Sequence, residues 1–314
     1  MKKILFASTA LVATAGMAAA DINFSGLGRF GVGYLEDRDT LDGAPTDVSD
    51  TIVVSRFRLN IDGDATTDGG VRFSARVRLQ ADENATTGEG AAAGLNGARF
   101  SVEYEGLRID VGNAAGAIDN LPNYYGNEQG LEGISGQYTG VNYGYMGYSS
   151  GGAGSNGIYA RYAVGDFAVA ASYDDRSTTA GDRWDIHAAY NFGDWTAAIA
   201  YGEDDDDDMV IATLGGSLGA FGLTLFVGDE TVANAAESDT FYGLSASYDV
   251  SSATSINFSY GGGSGDEDGE SIGIGFNHDL GGGVSLRGGV ASLNSGAAGA
   301  DDYTRADFGV NFGF

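Results

Sequence analysis

Apolar and polar residues change places at nearly every step over most of this chain. Val71, Phe73, Ala75, Val77 and Leu79 alternate with Arg72, Ser74, Arg76, Arg78 and Gln80, and Val53, Phe57, Leu59 and Ile61 with Arg56, Arg58 and Asn60. Phe308, Val310, Phe312 and Phe314 alternate likewise with Asp307, Gly309, Asn311 and Gly313. Period two sends successive side chains to opposite faces of an extended strand, so each run has one apolar and one polar face. Runs of this kind predict sixteen strands: 22–34, 51–62, 70–82, 96–105, 107–114, 157–164, 166–175, 184–193, 195–202, 208–218, 221–229, 240–249, 254–262, 270–279, 283–293 and 303–314. An even number lets a closed antiparallel barrel return both termini to one side.

The connections carry a second rhythm. Tight turns at Gly106, Gly165-Asp166, Gly193-Asp194, Gly219-Ala220, Val250–Ala253 and Gly281–Gly283 alternate with longer polar segments. Those segments are 35–50, 83–95, 113–156, 176–183, 203–207, 230–239, 263–269 and 294–302. Membrane barrels keep short turns at one rim and long loops at the other, a regularity that a soluble sandwich has no reason to maintain. Aromatics such as Tyr34, Tyr104, Phe167, Phe192, Trp195 and Tyr248 fall near strand ends, as interfacial girdles do. Strands of about ten residues, at roughly 3.3 Å each and tilted about 45°, cover an apolar band ~25 Å tall. Facing Arg72, Arg76 and Arg78 toward lipid would cost about 2–4 kcal/mol each near the midplane, so their face is the wet one. Sixteen strands enclose room for water, whereas eight enclose little more than side chains. The predicted fold class is all-β: a sixteen-stranded antiparallel transmembrane β-barrel.

Composition narrows the setting. Lys2 and Lys3, the apolar stretch Ile4 to Ala15, and Ala18-Ala19-Ala20 before Asp21 predict a signal peptide at 1–20 and a barrel over 21–314. No later stretch approaches the ~18 apolar residues of a membrane helix. With 53 Gly and only 2 Pro, long helices are disfavoured and uninterrupted ladders favoured. The formal charge of −28 becomes −30 once Lys2 and Lys3 are removed. That charge argues against nucleic acid as a partner, because phosphates need basic patches. No Cys is present, so thiol chemistry is excluded, and only His187 and His278 offer imidazole.

Against this acidic background Arg56, Arg58, Arg72, Arg76, Arg78, Arg99 and Arg108 crowd onto the second to fifth predicted strands, and Arg29 faces the same interior. Inward neighbours at i and i+2 are about 7 Å apart. Such a cluster repels itself unless water or counter-charges are near. The longest connection, 113–156, can supply counter-charges through Asp119, Glu128 and Glu132. Two placements stay open at this point. The segment folds into the lumen and makes a narrow passage with opposite charges on its two sides, or it lies outside and the arginines line solvent.

The run Gly112-Asn113-Ala114-Ala115-Gly116-Ala117-Ile118-Asp119-Asn120-Leu121-Pro122-Asn123-Tyr124-Tyr125-Gly126 resembles the third-loop region of the general porins of alphaproteobacteria such as Rhodobacter. The start at Asp21-Ile22 and the closing Asn311-Phe312-Gly313-Phe314 are similar too. The resemblance implies a homotrimeric, weakly selective diffusion pore whose third loop folds into the lumen, with arginines facing its acids. It also implies that Phe314 is read by the barrel-assembly machinery. Outer-membrane lipids, lipopolysaccharide and small hydrophilic solutes are the partners expected there. The absence of lysine from 21–314 departs from the family pattern.

Other motifs carry less. Gly26-Leu27-Gly28-Arg29-Phe30-Gly31 matches G-x-G-x-x-G but lies inside a strand pattern rather than at a strand-to-helix turn. His187 shares a face with Asp185, which reads as a lumen-lining histidine rather than a catalytic one. No motif requires a cofactor. The acid runs Glu203–Asp208 and Asp266–Glu270 read first as solvated loop charge; clustered carboxylates could also hold structural Ca²⁺, which the resemblance implies, although neither run has EF-hand spacing. The alternatives to a general pore are a substrate-specific channel, an outer-membrane enzyme with a Ser–His–acid group, and an adhesive or plugged barrel.

Overall fold

The computed structural model describes residues 21–41, 43–45, 47–134, 156–174, 182–231, 238–263, 269–294 and 301–314. The proposed signal peptide, residues 135–155 of the long connection and most of the second acid run lie outside the described residues. The strands are β1 (Asp21–Leu35), β2 (Thr51–Thr66), β3 (Arg72–Asp82), β4 (Gly94–Leu95), β5 (Arg99–Tyr104), β6 (Leu107–Gly112), β7 (Gly157–Val164) and β8 (Phe167–Asp174). They continue as β9 (Arg183–Phe192), β10 (Trp195–Asp204), β11 (Asp207–Leu218), β12 (Phe221–Thr231), β13 (Asp239–Ser251), β14 (Thr254–Gly263), β15 (Gly269–Gly281), β16 (Val284–Asn294) and β17 (Tyr303–Gly313). The two-residue β4 and β5 both pair with β3 and share one stave, so the barrel has sixteen.

Every pairing is antiparallel, neighbours in sequence are neighbours in space, and β1 closes the cylinder on β17 from Leu27↔Gly313 to Leu35↔Arg305. Closure leaves no strand edge unpaired, which is the condition for a sheet to sit in hydrocarbon. The alternation has the predicted sense: Val53 is 65% exposed and Phe73 48% on the outside, while Arg56, Arg58, Arg76 and Arg78 point inward. Ile22, Phe24, Ile186, Ile199, Leu225, Ile272 and Phe308 extend the exposed apolar belt, far more than a soluble surface carries. The G-x-G-x-x-G run lies within β1, where the Phe312 and Phe314 rings occupy the space a Cβ at Gly28 or Gly26 would take.

One predicted loop is not a loop. The acid run at 203–207 folds as a hairpin in which β10 and β11 pair down to Asp204↔Asp207, turning on Asp205 at φ 60°. Aspartate tolerates the left-handed region better than most residues, which is why a run that reads as solvated loop makes a tight turn here. The turns at Gly106, Gly165, Gly193 and Gly219 all take positive φ, as predicted two-residue links require.

Candidate functional site

Residues 113–134 leave β6 and enter the barrel. Their contacts then follow the wall strand by strand. The Ala117 amide donates to Ser172 Oγ on β8 at 2.8 Å, and His187 Nδ1 on β9 lies 2.7 Å from the Ala117 carbonyl. Asn123 Nδ2 donates to the Thr196 carbonyl on β10 at 3.1 Å, and Thr213 Oγ1 on β11 donates to the Pro122 carbonyl at 2.7 Å. The Asn127 amide donates to Ser245 Oγ on β13 at 2.9 Å, and Ser259 Oγ on β14 donates to Gln129 Oε1 at 2.7 Å. Asp307 on β17 accepts the Leu131 and Glu132 amides at 2.8 Å each. Finally, Arg29 on β1 pairs with Glu132 at 2.6 Å.

Small and apolar residues beneath this path seat it. Ile118, Leu121 and Tyr124 pack on inward-facing Ala198, Ala200, Met209, Ile211, Phe226 and Phe241, and Leu131 packs on Ile52 and Val54. Gly130, at φ 85°, brings its amide nitrogen 3.0 Å from where a Cβ at Gly289 would stand and 3.1 Å from one at Gly275. Larger residues at those two positions would lift the segment off the wall. His187 is therefore buried beneath the segment rather than lining water.

The segment covers the inner face from β7 round to β1 and the loop end of β2, and leaves the rest of β2 and β3 to β6 bare among the described residues. That uncovered wall carries the arginines. Arg56 and Asp82 are cross-strand partners with a 2.6 Å ion pair, and Arg76 grips Asp62 through Nε at 2.6 Å and Nη2 at 3.0 Å. Arg72 lies 3.8 Å from both Asp64 and Glu103, and Arg108 pairs with Asp110 at 2.8 Å and Glu103 at 3.7 Å. Arg58 and Arg78, between these pairs, instead meet neutral amides: Gln80 Oε1 at 2.6 Å and Asn60 Oδ1 at 3.2 Å. Arg99 Nε has no hydrogen-bond partner among the described residues.

The three loop acids stand in different surroundings. Of the three acids assigned to the loop, Glu132 meets an arginine directly, through Arg29. Burial pushes its carboxyl up, and the Arg29 guanidinium opposes that rise. Glu128 makes no ion pair among the described residues, although the Arg29 and Arg287 charges act on it. Asp119 stands on the far side, where it accepts a hydrogen bond from the Tyr125 hydroxyl. Burial pushes its carboxyl up to about 6, against the Tyr125 hydrogen bond, with Asp185 raising and Arg183 lowering it further.

The counter-charges of the arginine wall are thus Asp62, Asp64, Asp82, Glu103 and Asp110 of the wall itself. Extending the strand parity to 62, 64 and 82 reaches three of these, and the same parity places Arg161 on the lumen face opposite Arg108. Among the described residues no group of three or more His, Asp or Glu converges to hold a metal ion. Phe314, at the turn end, stacks on Phe57 at 5.8 Å and lies 6.0 Å from Phe312, ring centre to ring centre.

Comparison with known proteins gives a consistent picture. The sequence profile of the Gram-negative porins matches residues 7–298. A porin of Fuscovulum blasticum is 30% identical over 239 residues, covering 71% of this chain and 79% of that protein. Among solved structures, an engineered mutant of the Rh. blastica porin superposes with a TM-score of 0.76 at 28% identity, covering 94% of this chain and all of the other. A triple mutant of the Rhodopseudomonas blastica porin superposes with a TM-score of 0.75 at 27% identity over the same 94%.

Proposed function

The chain belongs to the Gram-negative porins, channels rather than enzymes, and is a diffusion channel of the bacterial outer membrane; on that premise we propose that its filter is the gap between residues 113–134 and the arginine wall. Small hydrophilic solutes and ions pass through this gap, sorted by size and by the field across it. One observation carries the reading: residues 113–134 follow the wall from β7 round to β1 and the loop end of β2. Among the described residues, the wall left uncovered beside this path is the one bearing Arg56, Arg58, Arg72, Arg76, Arg78, Arg99 and Arg108.

The wall arginines neutralised by Asp62 and Asp82 contribute little net field, whereas Arg58 and Arg78 project uncompensated charge. Arg29 and Glu132 fasten the segment to the closing strand, and Glu128 supplies negative charge on the side facing the arginines. Asp119 anchors the opposite end. The acidic exterior concentrates cations at the mouths and the bare arginines resist them within, giving mild cation preference.

The same reading includes a homotrimer, cleavage of residues 1–20, recognition of Phe314 during barrel assembly, and a belt in contact with outer-membrane lipid and lipopolysaccharide. Purified protein in planar bilayers tests the central claim. It is expected to give stepwise conductance and a reversal potential in a salt gradient of the sign set by cation flow. A clear anion preference would defeat the proposed filter.

A further inference from the structure

Beneath residues 127–130, on the turn side of the barrel, a recess of ≈ 250 Å³ opens toward the lumen. Asn127 and Glu128 form its roof, and Asp249, Asn257, Asn277 and Arg287 project from β13, β14, β15 and β16. Its chemistry is unlike that of the arginine wall, where most charges are spent on each other. Among the described residues Glu128 makes no hydrogen bond or ion pair, although it feels the Arg287 charge. Among the described residues Arg287 donates from Nε alone, to Ser285 Oγ at 3.3 Å. Its two terminal nitrogens remain available. Asn277 Oδ1 is buried with no hydrogen-bond partner among the described residues.

A guanidinium presents two parallel donors that fit a carboxylate, and an ammonium group offers three donors to carboxylate and amide oxygens. A fixed positive and a fixed negative group that do not neutralise each other, held across a small polar recess, match a solute carrying both charges. Simple anions meet repulsion from Glu128 and Asp249, simple cations from Arg287, and uncharged polyols leave both charges unanswered. We propose that this recess is a docking subsite for small zwitterionic solutes of the α-amino-acid class. The solute carboxylate sits on Arg287 and its ammonium on Glu128 and Asn277 Oδ1. The subsite rests on the diffusion-channel reading and adds a preferred class of cargo to it.

Proteoliposomes carrying the full-length protein test this with L-serine and glycerol, each measured over a range of concentrations near neutral pH. Uptake of L-serine is expected to saturate and to be inhibited by L-alanine, while glycerol uptake rises linearly. Arg287→Gln is expected to raise the half-saturation concentration about tenfold, the loss of one charge-assisted hydrogen bond. Arg287→Lys, which keeps the charge but not the fork, is expected to fall between. The wild-type competition needs no variant, so a misfolded mutant does not shelter the idea. Linear L-serine uptake unaffected by L-alanine would overturn the subsite and leave the channel standing. Entry of neither solute would overturn both.

Discussion

Arg56 and Arg58 sit two residues apart on one face of β2, yet only the first has a carboxylate within ion-pair reach. Exposed pairs of this kind contribute about 0–1 kcal/mol to stability, so their consequence is electrostatic rather than structural. Arg58→Gln is accordingly expected to shift the reversal potential toward cations, and Arg56→Gln to shift it by at least as much, since the latter also unmasks the Asp82 carboxylate. No shift from either would show that these arginines do not shape the field. Asp119 makes a second case at this scale. Its carboxyl is raised to about 6 in the folded protein, above its ordinary range near 4. The folded state therefore binds the proton more tightly, and docking of its segment is strongest below pH 4, declining as pH rises to about 6. Amide hydrogen exchange over residues 115–125 is expected to quicken across that interval, and Asp119→Asn to abolish the change. Strand parity made the inward position of nearly every arginine legible in sequence. The partners were not legible, because Arg56↔Asp82 and Asp62↔Arg76 depend on the register between two strands, which no single strand encodes.

At the level of elements, Asp307 holds more of the inserted segment than any other inward side chain of β17, because it accepts two consecutive backbone amides. Asp307→Ala would leave both donors to find water and is expected to weaken this anchorage by about 1–3 kcal/mol. Larger and noisier single-channel steps are the expected readout, and unchanged steps would place the narrowing elsewhere. Strands and turns were read from sequence to within a few residues because their period is local. The hairpin at Asp205 was missed because six consecutive acids resemble solvated loop, and nothing local reveals that β10 and β11 zip together beyond the apolar band. The seat of the segment was also hidden. Met209-Val210-Ile211 and Ile52-Val53-Val54 break the alternation by being apolar on both faces, and that irregularity marks where an inward face packs on protein instead of water.

For the whole molecule, charge and closure dominate. A chain of formal charge −28 acts on ions at a distance only while salt does not screen it. The Debye length is about 10 Å at 0.1 M and 30 Å at 0.01 M. Cation preference is therefore expected to grow as bath salt is diluted at a fixed concentration ratio; a preference that stays constant would show that the acidic mouths do not set it. Closure has a consequence in time. The inserted segment precedes β7 in sequence, yet its footholds are Ser172, Thr213, Ser245, Ser259, Asp307 and, across the seam, Arg29. All but Arg29 belong to staves laid after the segment, and the last two come together only when β17 meets β1. The aperture must accordingly be gauged after the cylinder is sealed, so a half-built wall offers a wide bore and acquires its calibre in the final act of assembly.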